Sequence, residues 1–398
     1  MNTESGRMDW LMFALVTGLS LFGVIMVYSA SAMISLRETQ NETQMLYFLK
    51  QLVFTVIGLG VMFAASRFDY RRLNNMYVVV GGLVLTVILL LAVFGFPAIN
   101  GARRWIRFAG FSFQPSELAK ITVPIFLAWF FAMNSHRIGD VMKTMVPAVA
   151  VTGLIGALIV IEPDLGTTAV IMAVFVLVYF AAGARWLHVG SIVGLGLSFL
   201  AIMLFIAPWR IARLIAFMDP CAESQKQGTG YQICQSLMGI GSGGVFGEGF
   251  ALGQQKLFYL PYPYSDFIFA TVGEELGLIG TGMVVIAFGL LLWRGSVAAL
   301  YAPDRFGMLL GFGIITGIIT QALFNISVVI SILPAKGIPL PFISYGGTSV
   351  VMTLLAVGVL LNIASQRDED KQIYADDMGR TPVRRTRRRT VSKKVSAR

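Results

Sequence analysis

The residues able to do chemistry sit at the margins of apolar segments. Asp266 stands directly before Phe267-Ile268-Phe269-Ala270, beside Tyr262, Tyr264 and Ser265. A partly desolvated carboxylate at such a boundary suits a general base; the same carboxylate can equally cap the helix it precedes. Between Asn100 and Gln114, Arg103, Arg104 and Arg107 occur with no acidic residue. That is either an anion site, since guanidinium forks pair with phosphate oxygens, or an interfacial loop anchored by Trp105. Glu117 and Lys120 are three apart on one predicted helix face: a satisfied pair, or with Lys120 turned toward a cavity below the arginines. Glu274 and Glu275 lie inside an apolar run, where ionisable groups are costly and need partners. From Lys336 to Ser349 two prolines and three glycines force an irregular segment between apolar helices. Irregular backbone at membrane depth is tolerated only when buried in protein or lining a cavity, so a shaped cavity is expected there.

Other motifs carry less. Gly239-Ile240-Gly241-Ser242-Gly243-Gly244 has the letters of a dinucleotide fingerprint but no preceding strand or βαβ unit, and reads as a closely packed turn. No phosphate-binding G-x-x-x-x-G-K-[ST] occurs, and His136 and His188 are isolated. Cys221 and Cys234 are the only cysteines; they form one bond if they face an oxidising side, or serve as small apolar residues.

The elements that must position these residues are membrane helices. Of 398 residues, 56% are hydrophobic and 13% charged, with mean hydropathy +0.74; a soluble chain carries about 25% charged residues. Apolar runs long enough to cross a bilayer predict helices near 9–32, 45–66, 75–97, 114–133, 144–161, 166–183, 188–207, 267–293, 306–330 and 347–365, with Glu162-Pro163-Asp164 as a tight turn. The first run ends at Ala30-Ser31-Ala32, like a signal peptide, but is long and is read as a retained helix. The expectation is an all-α polytopic membrane protein of about ten transmembrane helices, with a large extracytoplasmic loop (208–265) between helices 7 and 8. Ten spans put both termini on one side, and the positive-inside rule makes it cytoplasmic. The net charge of +10 resides in the tail: Arg380 to Arg398 holds nine basic residues, leaving +10 − 9 = +1 elsewhere. That excludes a nucleic-acid-binding domain and leaves 366–398 as a basic tail suited to anionic lipid or a cytoplasmic partner.

Asn100-Gly101-Ala102-Arg103-Arg104-Trp105, Gln114-Pro115-Ser116-Glu117 with Lys120, Glu162-Pro163-Asp164-Leu165-Gly166, Gly230-Tyr231-Gln232, Asp266 to Ala270 with Glu274-Glu275, and Lys336 to Ser349 follow one another in an order that resembles the SEDS family (shape, elongation, division and sporulation) across nearly the whole membrane region. Lys336-Gly337 and Lys256-Leu257-Phe258-Tyr259-Leu260-Pro261 resemble its division branch rather than its elongation branch; a sporulation branch looks similar. One departure stands out. The family usually reads Pro-Glu-x-His-Thr-Asp before Phe-Ile-Phe, and here Tyr262 and Tyr264 replace the Glu and the His.

The resemblance implies a membrane glycosyltransferase at the division septum of the bacterial inner membrane, polymerising lipid II into glycan strands with Asp266 as catalytic base. It implies as partners a class B penicillin-binding protein transpeptidase and other divisome membrane proteins, and no nucleic acid. Arg103, Arg104, Arg107 and Lys120, with Glu117, Lys336 and Ser344, are expected at the substrate. The residues specify no cofactor; a divalent cation can assist, although no ligand cluster marks one. The rival readings are a lipid II flippase and a catalytically silent scaffold.

Overall fold

The computed structural model describes residues 8–98, 101–108, 111–206, 211, 215–223, 228, 230–334 and 336–367. The basic tail expected beyond residue 367 lies outside them, as does Asn100. Eleven α-helices are described: α1 Trp10–Glu38, α2 Leu46–Arg67, α3 Met76–Ala92, α4 Pro115–Met133, α5 Val146–Ile161, α6 Leu165–Ala181, α7 Trp186–Ile206, α8 Tyr231–Gly243, α9 Ile268–Leu300, α10 Arg305–Val329 and α11 Thr348–Ser365. Helices close their own backbone hydrogen bonds, which lipid requires. Side-chain caps supply part of what the ends lack: Asp9, Asn75, Asp164 and Asp304 accept from backbone amides of the first turns of α1, α3, α6 and α10.

Among the described residues, eight helical stretches are long and apolar enough to cross a membrane, and Leu165–Ala181 and Trp186–Phe199 are shorter apolar helices. They fall on the ten apolar runs of the sequence. Three departures bear on the site. Helix α1 runs six residues past its expected end at 32, to Glu38. The arginine loop is not wholly irregular: β1 (Ile106–Phe108) pairs antiparallel with β2 (Phe111–Phe113). The interval expected as a large loop contains α8, which packs along α9, and the Cys221–Cys234 disulfide ties the chain before α8 to its first turn.

Helix α10 is the centre of the bundle and contacts α4, α6, α9 and α11; α2 packs on α11, and α1 lies against α2 and α9. Helix α9 is broken at Gly277, whose φ of 63° and ψ of −159° leave the helical region. The segment after α8 mends the break. Glu248 N donates to the Glu274 carbonyl at 2.9 Å, Gly249 N to the Glu275 carbonyl at 3.1 Å, and Leu278 N to the Gly244 carbonyl at 2.9 Å. Only glycine fits at 247, because a Cβ there would meet the Glu275 carbonyl group. Just before the break, Glu275 binds Lys256 at 2.6 Å and accepts from the Ser29 hydroxyl at 2.6 Å and from Ala251 N at 3.0 Å. Glu274 accepts from Gln254 N and Gln255 N at 2.6 and 3.0 Å. The two glutamates thus dock the loop that leads to Asp266. At the opposite end of α9, Asp9 takes Arg294 at 2.7 Å and Arg367 at 2.8 Å.

Candidate active site

Asp266 does not cap α9: the helix begins at Ile268, Phe267 is its N-cap residue, and no side chain bonds there. The carboxylate is therefore not committed to the helix end. Its backbone is tied on every side. Asn325 Nδ2 donates to the carbonyls of Asp266 and Ile338, both at 2.7 Å. The Ser344 hydroxyl donates to the Ser265 carbonyl at 2.6 Å and accepts from Leu340 N at 2.7 Å. Tyr345 N donates to the Tyr264 carbonyl at 2.9 Å. The segment is irregular as far as Gly347, as its prolines and glycines required, and it folds onto the residues around Asp266. Lys336 precedes Gly337, whose backbone lies so close that a Cβ would come within 2.7 Å of Asp266 Oδ2.

The charge environment comes from three sequence-distant segments. The Ser265 hydroxyl donates to Asp266 Oδ1 at 3.0 Å. Burial lifts the Asp266 carboxyl to about 6; the Ser265 hydrogen bond and the Arg104 charge hold it down, while Asp164 pushes it up. Arg104 leans on the turn between α5 and α6: its Nε donates to the Glu162 carbonyl at 3.0 Å and its Nη2 to the Pro163 carbonyl. Asp164 caps α6 and accepts from Gln114 Nε2 at 3.1 Å and the Thr167 hydroxyl at 2.8 Å. Glu162 is wholly buried, and neither of its carboxyl oxygens has a hydrogen-bond partner among the described residues. Burial and Asp164 push it to about 8, against the pull of Arg104. Arg103 points elsewhere, donating to the Phe94 carbonyl at 2.7 Å, and Arg107 is exposed on β1.

Glu117 and Lys120 form a second cluster. They pair at 2.7 Å; the Ser349 hydroxyl donates to Glu117 at 3.0 Å, and Lys120 donates to Gln321 Oε1 at 2.8 Å. All but Ser349 line a cavity between α4, α6, α10 and α11 whose only other polar side chain is Thr353. One helical turn of α10 joins this cluster to the first: Gln321 holds the Pro339 carbonyl at 2.8 Å, and Asn325 holds Ile338 and Asp266. Sequence reasoning assigned no role to Glu162, Asp164, Gln321 or Asn325. For Gln321 and Asn325 the signal was available, since two amides one turn apart inside an apolar helix need partners. Among the described residues, no group of three His, Cys, Asp or Glu side chains is arranged to hold a metal.

Fold and site together define a polytopic membrane protein with a half-buried carboxylate and an attendant arginine just before helix α9. The chain belongs to the FtsW, RodA and SpoVE family, described as cell cycle proteins, whose profile matches residues 9–369. It is 38% identical over 366 residues to a probable peptidoglycan glycosyltransferase FtsW of Geobacter metallireducens, covering 91% of this chain and 96% of that one. It is 39% identical over 371 residues to the stage V sporulation protein E of Bacillus subtilis, covering 92% and 99%. Among solved structures, a peptidoglycan synthase complex that coordinates polymerisation and crosslinking matches with a TM-score of 0.74 at 26% identity, over 90% of this chain and 98% of that one. The Thermus thermophilus rod shape determining protein RodA matches with a TM-score of 0.67 at 26% identity, over 91% and 98%.

Proposed function

We propose that the protein is a peptidoglycan glycosyltransferase that polymerises lipid II, with Asp266 as general base. The observation that carries this is Asp266 itself: half-buried, uncommitted to any helix cap, fixed through its backbone, and poised at about 6 beside Arg104. At neutral pH the group is ionised and still basic enough to work. It takes the proton of the acceptor GlcNAc 4-hydroxyl as that oxygen attacks the anomeric carbon of the donor MurNAc. The bond to undecaprenyl pyrophosphate breaks, and the leaving group departs with the electron pair. Pyrophosphate needs no protonation to leave, so one carboxylate is enough. Arg104 and Arg107, with Lys120 and Lys336, offer positive charge to the pyrophosphate as its negative charge develops, whereas Arg103 is held away by the Phe94 carbonyl; Glu117 sets the position of Lys120. Ser344 acts through the backbone of Ser265. The cavity beside Lys120 is apolar enough to take part of the lipid.

In this reading residues 1–365 form one membrane domain in the bacterial inner membrane, with both termini cytoplasmic, Asp266 on the outer face, and 366–398 a basic tail. The partners are a class B penicillin-binding protein transpeptidase, in keeping with the synthase complex that the fold matches, and other divisome membrane proteins at the septum. The broken helix α9 favours one second reading, a lipid II flippase, because transporters build their sites from discontinuous helices. Purified protein given labelled lipid II separates them. Glycan strands made by the wild type and reduced at least 10²-fold in Asp266→Asn support the polymerase; lipid II translocation without strands supports the flippase.

A further inference from the structure

Lys120 and Asp266 stand on separate elements, one on α4 and the other just before α9. A short chain of hydrogen bonds runs between them, built from two side chains of α10 and two carbonyls of the irregular segment. Lys120 Nζ donates to Gln321 Oε1 at 2.8 Å. The same amide turns its nitrogen to the Pro339 carbonyl, also at 2.8 Å. The neighbouring Ile338 carbonyl accepts from Asn325 Nδ2 at 2.7 Å, and the second hydrogen of that nitrogen goes to the Asp266 carbonyl at 2.7 Å. Gln321 and Asn325 are both buried, and they lie four residues apart on one face of α10. Their rise along the axis is thus about 6 Å, and α10 is packed by α4, α6, α9 and α11. The fold alone asks for less than this. Lys120 already pairs with Glu117 at 2.7 Å, and covering the Pro339 carbonyl takes a donor but no acceptor. The Gln321 contact therefore joins two groups that need no common partner. Asn325 acts by donation alone, since its oxygen has no partner among the described residues.

We propose that Gln321 and Asn325 are positioning residues of the transfer reaction: one turn of α10 holds the Lys120 cation, through Gln321, and the backbone of Asp266, through Asn325, in a fixed register. The inference rests on the proposed polymerase reading, in which Asp266 takes the acceptor proton and Lys120 faces the pyrophosphate. The attacking oxygen and the leaving oxygen lie on opposite sides of the anomeric carbon, so base and cation must be set apart by the width of the reacting centre. A rigid helix turn sets that distance better than the irregular segment could by itself. Gln321 and Asn325 touch neither the acceptor nor the leaving group in this scheme; they act through Lys120, through Asp266 and through the two carbonyls between. Without them the base still ionises and the cation is still present, but the two are less often in place together. The loss therefore falls on turnover and not on lipid II binding.

The test is steady-state polymerisation of labelled lipid II by the purified full chain, with rates taken per folded molecule and Asp266→Asn as a reference. A misplacement of 1 Å costs about 10²-fold, so loosening one rung with Gln321→Met or Asn325→Leu is expected to lower kcat by about 10-fold, with KM for lipid II within about threefold. Asn325→Ser keeps one donor on a smaller side chain, should fall between wild type and Asn325→Leu, and takes its place if the leucine variant folds poorly. A double-mutant cycle supplies the readout that a purely structural role would not move. Lys120 and Asn325 are joined here only through Gln321 and the two carbonyls. Once Lys120→Met has removed the cation, Asn325→Leu should therefore cost at least threefold less than it costs in the wild type, and this coupling should vanish when Gln321→Met is also present. Unchanged kcat in the single variants, a raised KM at unchanged kcat, or simply multiplying losses for positions 120 and 325 overturns the register, while an inactive Asp266→Asn leaves the base in place. An Asp266→Asn variant with full activity overturns both.

Discussion

Glu162 gives the sharpest quantitative test of the site's electrostatics. Its carboxyl is wholly buried, bonds to nothing among the described residues, and faces Asp164 across the α5–α6 turn. In the unfolded chain it ionises near 4.5; in the fold it ionises at about 8. A group whose pKa is raised by folding stabilises the fold while protonated in both states and withdraws that stability as pH climbs. Between the two pKa values each pH unit costs the folded state about 1.4 kcal/mol. The wild type should therefore lose roughly 3 kcal/mol between pH 4.5 and pH 7, and roughly 5 kcal/mol by pH 8 and above. Glu162→Gln keeps the shape, stays neutral, and removes the titration. Thermal unfolding of purified protein in detergent, run across pH, should give nearly equal Tm values for the two proteins near pH 4.5. The variant should be more stable at neutral pH, with a gap that widens up to about pH 8 and then levels. Parallel curves would refute the reasoning, because they would mean that Glu162 titrates alike in both states and is paired or solvated in the fold.

Gly337→Ala should cut strand synthesis by more than about tenfold with near-normal lipid II binding, since the new methyl needs the space of Asp266 Oδ2 and displaces the base from its working position; steady-state kinetics beside a binding assay check it. Lys256→Met should lower stability by about 3–5 kcal/mol by stranding Glu275, and Lys256→Met with Glu275→Gln should recover most of that loss, measured as Tm in detergent. Cys221→Ser should loosen the segment before α8, by about 3 kcal/mol if the closed loop is valued by chain entropy. Limited proteolysis is the readout, and two free thiols in unreduced wild-type protein would end the idea.

The apolar runs of this chain reveal its helices because nothing but a helix can carry so many consecutive apolar residues through lipid. They say little about where a helix stops once its sequence turns polar, and so α1 was read as ending at 32 although it continues through Arg37 and Glu38. Asp266, Arg104, Lys336 and Ser344 are legible as candidates because charge or irregular backbone beside apolar runs demands an explanation; of these, the Arg104 charge acts on Asp266 and the Ser344 hydroxyl bonds the Ser265 carbonyl beside it. Lys256 is not legible. A lysine among polar loop residues reads as exposed, and only the buried Glu275 shows that it must go in. Glu162 was seen as a turn residue alone, since burial of a turn carboxyl depends on helices that pack far away in sequence. The three-residue strands that hold Arg107 are too short for any alternation to show.

The mended break in α9 bears on how the protein is made. A transmembrane helix interrupted at Gly277 cannot satisfy its own backbone in lipid, and the groups that complete it belong to residues 244–249. Those residues precede the helix in the chain, so they leave the ribosome first. The splint is therefore synthesised before the fracture it mends, and its partners are at hand when α9 enters the bilayer. The mirror arrangement, with the mending segment downstream, would leave the broken helix exposed during insertion. The order of the two segments along the chain is thus part of what lets this helix be broken at all.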